Sequence, residues 1–202
     1  MVELQHMECL QVGGRWMGGS QEWYPNRLRR LSGCGPANAA LMVWYLARTR
    51  PELHALCDVG TGSRNDFLRL MNEMFGYVKP GMRGVNHARK FARGLEAYAA
   101  ERGLPLQFDW METRQNRLPA GQFLLEALRK DRPVAFLNFH SGSQSQLDGW
   151  HWMTIIAFDP DNALARCCDQ GKAVEFSLNE WHRTSKLGGH FVTINRERAE
   201  SS

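Results

Sequence analysis

The sequence predicts an α+β fold, with a helical N-terminal half packed on a C-terminal antiparallel sheet. Three observations point there. Apolar residues recur at helical spacing up to about residue 130, β texture sets in after residue 132, and no linker, repeat or low-complexity tract separates the two. With 202 residues and 43% hydrophobic content, the chain matches a single domain, 1–202, able to bury a core.

Residues 1 to 20 read as an irregular N-terminal extension. Positions 11 to 33, rich in Gly, Ser, Arg and Trp and without either periodicity, read as a lead-in loop. Cys34-Gly35-Pro36-Ala37-Asn38 then opens the run Ala39 to Ala47, apolar nearly all round, as in a buried helix. Pro36 suits the first turn, where its missing N–H costs nothing. Cys34 is thereby placed at a helix N-terminus.

Phe67, Leu68, Met71, Met74 and Phe75 mark a helix over 65–75, and Val85, Ala88, Phe91, Ala92, Leu95 and Tyr98 mark another over 85–102. A further helix is expected from Ala120 to about Lys130. Pro133 to Phe139 and Trp152 to Phe158 are compact apolar strands, the second ending at the turn signal Asp159-Pro160-Asp161-Asn162. Shorter strands follow at Leu164 to Cys168 and Ala173 to Phe176, then a capped helix at Ser177-Leu178-Asn179-Glu180 and a last strand at His190 to Ile194.

Composition excludes several classes. The longest apolar run has nine residues, where a membrane span needs about 20. The stretch Met1 to Glu8 lacks the basic start and apolar core of a secretory signal, so a cytoplasmic location is expected. Five cysteines, with no Cys-x-x-Cys spacing, argue against a disulfide framework and a zinc knuckle. The vicinal Cys167 and Cys168 read as core filler, with only an incidental metal site in prospect beside His140 or His190. No metal and no cofactor is expected. The net charge of +4 comes from scattered arginines, and Arg27-Leu28-Arg29-Arg30 beside Trp23 and Tyr24 reads as a solvated loop rather than a nucleic-acid surface.

The chemistry concentrates on one cysteine. A thiol at a helix N-terminus faces unpaired N–H groups and the positive end of the macrodipole, and both favour the thiolate. Gly33 and Gly35 on either side would let a substrate backbone approach. Of the seven histidines, His151 heads the most apolar strand. If residues 159–162 close a hairpin, 158 faces 163, and His151 comes within one position of Asp169; a one-residue bulge would shift this register. A carboxylate on one ring nitrogen would leave the other to take the thiol proton and return it to a leaving group. His140 lies in a polar loop and His182 on a short helix, while His190 opens a strand with no carboxylate placed opposite it by any evident turn.

Gly33 to Ala40 resembles the cysteine-bearing helix start of the papain-like superfamily, particularly its bacterial C39-like peptidase branch. Trp150 to Asp159 is similar to that branch's histidine strand, and Cys168-Asp169-Gln170-Gly171 to its Asp-x-Gly segment. The resemblance runs in family order over roughly residues 20 to 194. It implies a papain-like fold and a cysteine peptidase or amide hydrolase, with Cys34 as nucleophile, His151 as base and acid, Asp169 as orienter, and an acyl-enzyme cleaved by water. Its substrate would be a peptide or small amide, with neither membrane nor nucleic acid as a partner.

One position departs from the family. Papain-like enzymes carry a glutamine about six residues before the cysteine, donating to the oxyanion, and here Leu28 stands there. Asn26 is the nearest side-chain amide and is the expected donor; Gln21 is further off, and Arg30 would offer charge instead. Trp16, Trp23, Trp150 and Trp152 are candidates for an apolar substrate groove. Two other outcomes remain open on these residues: acyl transfer by the same triad, and a non-catalytic module that binds a partner in the cleft or at the 27–30 loop.

Overall fold

A computed structural model describes residues 1–113 and 120–197. Among these, the N-terminal half contributes β1 (Val2–Glu3), β2 (Gln11–Val12), β3 (Trp16–Met17), α1 (Arg27–Ser32), α2 (Cys34–Thr49), α3 (Arg64–Tyr77) and α4 (Ala88–Ala100). Then come β4 (Leu106–Glu112), α5 (Ala120–Leu128), β5 (Val134–Asn138), β6 (His151–Asp159), β7 (Leu164–Asp169), β8 (Lys172–Ser177), α6 (Leu178–Thr184) and β9 (Gly189–Glu197). The helical half packs on an antiparallel sheet of order β4-β9-β5-β6-β7-β8, the arrangement expected from the sequence. No helix among the described residues is long and apolar enough to cross a membrane.

α2 is buried along almost its whole length, which is why its sequence carries no polar face. It lies against β6 and α3, and Asn38 fixes it to the sheet by donating from Nδ2 to Thr154 Oγ1 at 2.9 Å. α3 starts from a capping box in which Ser63 and Asp66 satisfy each other's backbone N–H groups. α4 turns Ala88, Phe91, Ala92, Leu95 and Tyr98 inward, as its spacing predicts, and Phe91 stacks on Trp152 at 4.2 Å.

β6 is the spine of the sheet. Its first five residues pair with β5 along one edge, and where β5 ends, β1 continues that edge through Val2↔Phe158 and Glu3↔Ala157. The first residues are therefore paired in the sheet instead of trailing as an irregular extension. Two further elements depart from expectation. Residues 27–32 form the short helix α1 within what reads as a loop, and β4 lies in what reads as a helical half, with Leu106 and Phe108 buried and Gln107 and Asp109 exposed.

The β6–β7 register also differs. Asp159 pairs with Leu164, because Ala163 adopts a left-handed φ of 50° and the turn spans 160–163. A bulge between Ile155 and Ala157 then returns one residue, giving Ile155↔Cys167 and Thr154↔Cys168. Continued by one step, this register sets Asp169 level with Met153. His151 is thus its diagonal neighbour on the same side of the sheet, within reach of a long side chain.

Candidate active site

Cys34 is the first residue of α2, and Gly33, the residue before it, offers no side-chain cap. The first-turn N–H groups are left to whatever occupies the space beside the sulfur. Gly33 and Gly35 are small for packing and not for substrate access. A Cβ on Gly33 would stand 2.4 Å from the Arg29 carbonyl oxygen and 2.5 Å from the Tyr24 ring, and one on Gly35 would stand 2.8 Å from Val85 Cγ2. The glycines let α1 and the Val85 segment close around the thiol.

His151, the first residue of β6, is buried and places Nε2 2.6 Å from Asp169 Oδ1, at the end of β7. Burial alone would lower its pKa. Hydrogen bonds to Asp169 and to Cys34, together with their negative charge, more than offset this and push it up to about 10. With Nε2 held by Asp169, Nδ1 is the nitrogen left for the thiol. The structure thus brings Cys34, His151 and Asp169 together.

Asn26 is not part of this group. Its Oδ1 accepts from Leu28 N at 2.8 Å as the N-cap of α1, on the exposed side of the molecule. Gln21 takes its place beside the thiol, lining with Cys34, His151 and Asp169 a small cavity of about 20 Å³. That is room for about one water-sized atom. Gln21 Oε1 is buried without a hydrogen-bond partner among the described residues, and a half-turn of the terminal amide would set its N–H groups in that position instead. Sequence spacing hides this residue, because α1 is inserted between it and Cys34.

The Gln21 segment is anchored from the sheet. Gln170 accepts from Ser20 Oγ at 2.6 Å and from Gln21 N at 3.1 Å, while Met17 N donates to the Gly171 carbonyl at 3.0 Å. Gln170 and Gly171 form the tight β7–β8 turn with φ of 47° and 80°, both left-handed. Trp150, preceding His151, is likewise left-handed at φ 56°. Backbone strain therefore flanks both members of the His–Asp pair.

The other candidates are accounted for elsewhere. Trp16 and Trp23 pack edge to face, Trp152 is buried, and Trp150 alone of the four is exposed. Arg29 bonds Asn72 and sits over the Phe75 ring, and Arg30 donates to the Tyr24 carbonyl at 3.0 Å, so two of the three arginines of the run brace α1. Cys167 and Cys168 are both buried in the sheet.

His190 does face a carboxylate. β4 pairs it with Glu112, whose Oε2 lies 3.9 Å from its Nε2, and His87 reaches Glu112 Oε1 at 3.2 Å. These three groups are close enough for a metal, as are Asp148, His151 and Asp169. However, His190 Nδ1 accepts from Ala88 N and His87 Nδ1 from Arg89 N, which puts the proton of each neutral ring on the nitrogen facing Glu112. The first trio is built for hydrogen bonding more than for a cation.

No protein-family model matches the chain, and no curated protein matches it. Among solved structures, it is similar to a double glycine motif protease from an AMS/PCAT transporter in complex with the leader peptide, at 15% identity over 81% of this chain and 84% of that one, with a TM-score of 0.45. It is also similar to the Pseudomonas avirulence protein AvrPphB, at 9% identity over 85% of this chain and 95% of that one, with a TM-score of 0.38.

Proposed function

We propose that this chain is a papain-like cysteine peptidase or amide hydrolase of the C39-like kind, acting on a peptide or small amide. The observation that carries the reading is the 2.6 Å His151–Asp169 pair set beside a thiol at an uncapped helix N-terminus. Asp169 fixes the ring so that Nδ1 takes the Cys34 proton, and the sulfur attacks the substrate carbonyl carbon. The oxyanion that forms is met by the Cys34 backbone N–H and the Gln21 amide.

Collapse of this intermediate breaks the C–N bond, and the imidazolium gives its proton to the departing amine. Water then attacks the thioester as His151 takes a water proton. The second collapse releases the carboxylic acid and returns that proton to the sulfur. Every proton is handled by one imidazole, which is why its position matters more than any other in the site.

The remaining thiols supply the contrast for a test. Burial raises Cys9 and Cys167 and pushes Cys57 and Cys168 up to about 12, so none of these four is a ready nucleophile near neutrality. Iodoacetamide at pH 7, with the alkylated position read by mass spectrometry, is expected to modify Cys34 much faster than the other four, and His151→Ala is expected to abolish the difference. Uniform slow labelling of all five would overturn the reading.

A further inference from the structure

Two residues that line the small cavity beside Cys34 each keep one buried oxygen without a hydrogen-bond partner among the described residues, Gln21 Oε1 and Asn38 Oδ1. They stand on different elements. Gln21 belongs to the segment that enters α1, whereas Asn38 lies one helical turn beyond Cys34 on α2 and shares its face. Asn38 is only 6% exposed, so bulk solvent does not reach its amide. The cavity between them, about 20 Å³, has room for about one water.

The donors on this wall are committed elsewhere. Asn38 Nδ2 donates to Thr154 Oγ1 at 2.9 Å, and Trp152 Nε1 to the Val85 carbonyl at 2.6 Å. Gln21 N donates to Gln170 Oε1 at 3.1 Å, so the backbone of Gln21 is held while the amide at the end of its side chain is not. The Cys168 thiol, also on the wall, is a weak donor. Two buried acceptors call for two O–H donors, and one water carries both.

We propose that the cavity binds a single water that donates to Asn38 Oδ1 and to Gln21 Oε1, and that Asn38 is, through this water, the positioning residue of the oxyanion amide. The inference rests on the hydrolase reading above and adds the group that orients its donor. With Oε1 on the water the Gln21 amide needs no half-turn, and its Nε2 hydrogens are left for the oxyanion. A glutamine tip with nothing to hold it spreads over several rotamers and meets the oxyanion in only a fraction of them. Asn38 is itself fixed by its bond to Thr154 on β6, the strand that begins at His151. One strand therefore sets the base directly and the oxyanion donor through Asn38 and the water.

A high-resolution crystal structure of the unmodified protein is expected to show one water oxygen about 2.6–3.2 Å from both atoms. Direct contact of Gln21 Nε2 with Asn38 Oδ1, or no ordered water between the two residues, would overturn the proposal. Turnover of the p-nitrophenyl ester of N-acetylglycine reads the coupling. Asn38→Leu keeps the shape of asparagine but excludes the water, and its kcat is expected to fall about 10-fold at an unchanged KM. Asn38→Ala leaves room for a second water in place of the lost amide and is expected to keep kcat within about 3-fold of the parent. A purely structural role orders the two variants the other way, because alanine leaves the larger void.

In a Gln21→Ala background, Asn38→Leu is expected to lower kcat by less than about 2-fold, since the residue it acts through is gone. Alanine losing more than leucine, or the full loss persisting in that background, would overturn the proposal. Alkylation by iodoacetamide forms no oxyanion, so Cys34 of Asn38→Leu is expected to label at the parent rate. A slower rate would assign Asn38 to the thiol pair or to the fold, overturning the proposal and leaving the hydrolase reading standing. Failure of iodoacetamide to single out Cys34, or of the parent to turn the ester over, would overturn the hydrolase reading and the proposal with it.

Discussion

Gln170 accepts a hydrogen bond from the Ser20 hydroxyl at 2.6 Å, so the turn that follows Asp169 also holds the segment bearing Gln21. Asp169 and the proposed oxyanion amide are thus positioned by one two-residue turn. Gln170 is a positioning residue with a separable signature. Gln170→Gly relieves a left-handed backbone that costs about 1–3 kcal/mol while removing both hydrogen bonds, so its melting temperature is expected to stay close to that of the parent. Its kcat is expected to fall about 10-fold with little change in KM. A parallel loss of stability and activity would mark the contact as merely structural.

Gln21→Ala is expected to lower kcat about 100-fold or more, because it removes the proposed oxyanion donor. Asn26→Ala, at the cap of α1, is expected to cost about 1 kcal/mol of stability and to leave the rate of a small amide substrate near that of the parent. Steady-state kinetics on the two variants separates them. Equal rates in both would return the donor to the backbone alone.

The His151 pKa of about 10 sets the pH above which the imidazole no longer holds its second proton. Because the folded value is raised, the stability this proton contributes is fully present below about pH 6.5 and is lost as pH rises through 10. Activity should follow, with kcat/KM falling through an alkaline limb centred near pH 10. Asp169→Asn removes the hydrogen-bonded charge that holds the proton, so the limb should move down by more than one pH unit and kcat/KM should drop about 100-fold. A limb that does not move would sever Asp169 from the base.

His190 has the opposite sign. Burial, with the neighbouring His87 charge adding to it and Glu112 opposing, lowers its pKa to about 4. Between about pH 6.5 and 4 the unfolded chain binds a proton that the folded chain refuses, so this group costs stability as pH falls. His190→Gln, which keeps an acceptor for the Ala88 N–H, should flatten urea-midpoint stability between pH 7 and 4.5. An unchanged slope would count against the assignment.

The glycines around Cys34 differ in what they tolerate. Gly33→Ala drives a methyl into the Arg29 carbonyl, backbone that cannot swing aside, and is expected to cost about 3 kcal/mol by urea titration. Gly35→Ala meets Val85 at Cγ2 and at Cβ, so the Val85 backbone must shift by a few tenths of an ångström, and it is expected to cost about 2 kcal/mol while displacing the Met82 turn.

Much of this was readable from residue order because α2 and β6 carry strong patterns: an all-round apolar helix behind Cys34, and an unbroken apolar strand behind His151. The His151–Asp169 pairing was reachable from a turn signal even though its register was off. A left-handed Ala163 displaces the four-residue turn by one position and a bulge near Ile156 recovers one residue, and neither has a spacing signature. What stayed hidden lay in short elements. α1 is six residues with no room for a period, and by separating Gln21 from Cys34 it conceals the amide that Asn26 was expected to supply. β4 alternates, but it sits among helices, so the partner it gives His190 went unseen.

β6 is hydrogen-bonded on both edges for most of its length, to β5 and β1 on one side and β7 on the other. Amides in such a strand exchange with deuterium only when the whole molecule opens, whereas a two-turn surface helix such as α1 opens on its own at far lower cost. His151 therefore sits at the end of a strand whose middle opens only with the whole molecule, whereas the α1 face beside Cys34 lies on backbone that opens alone. Local opening of α1 can thereby widen access to Cys34 without loosening the His151 imidazole.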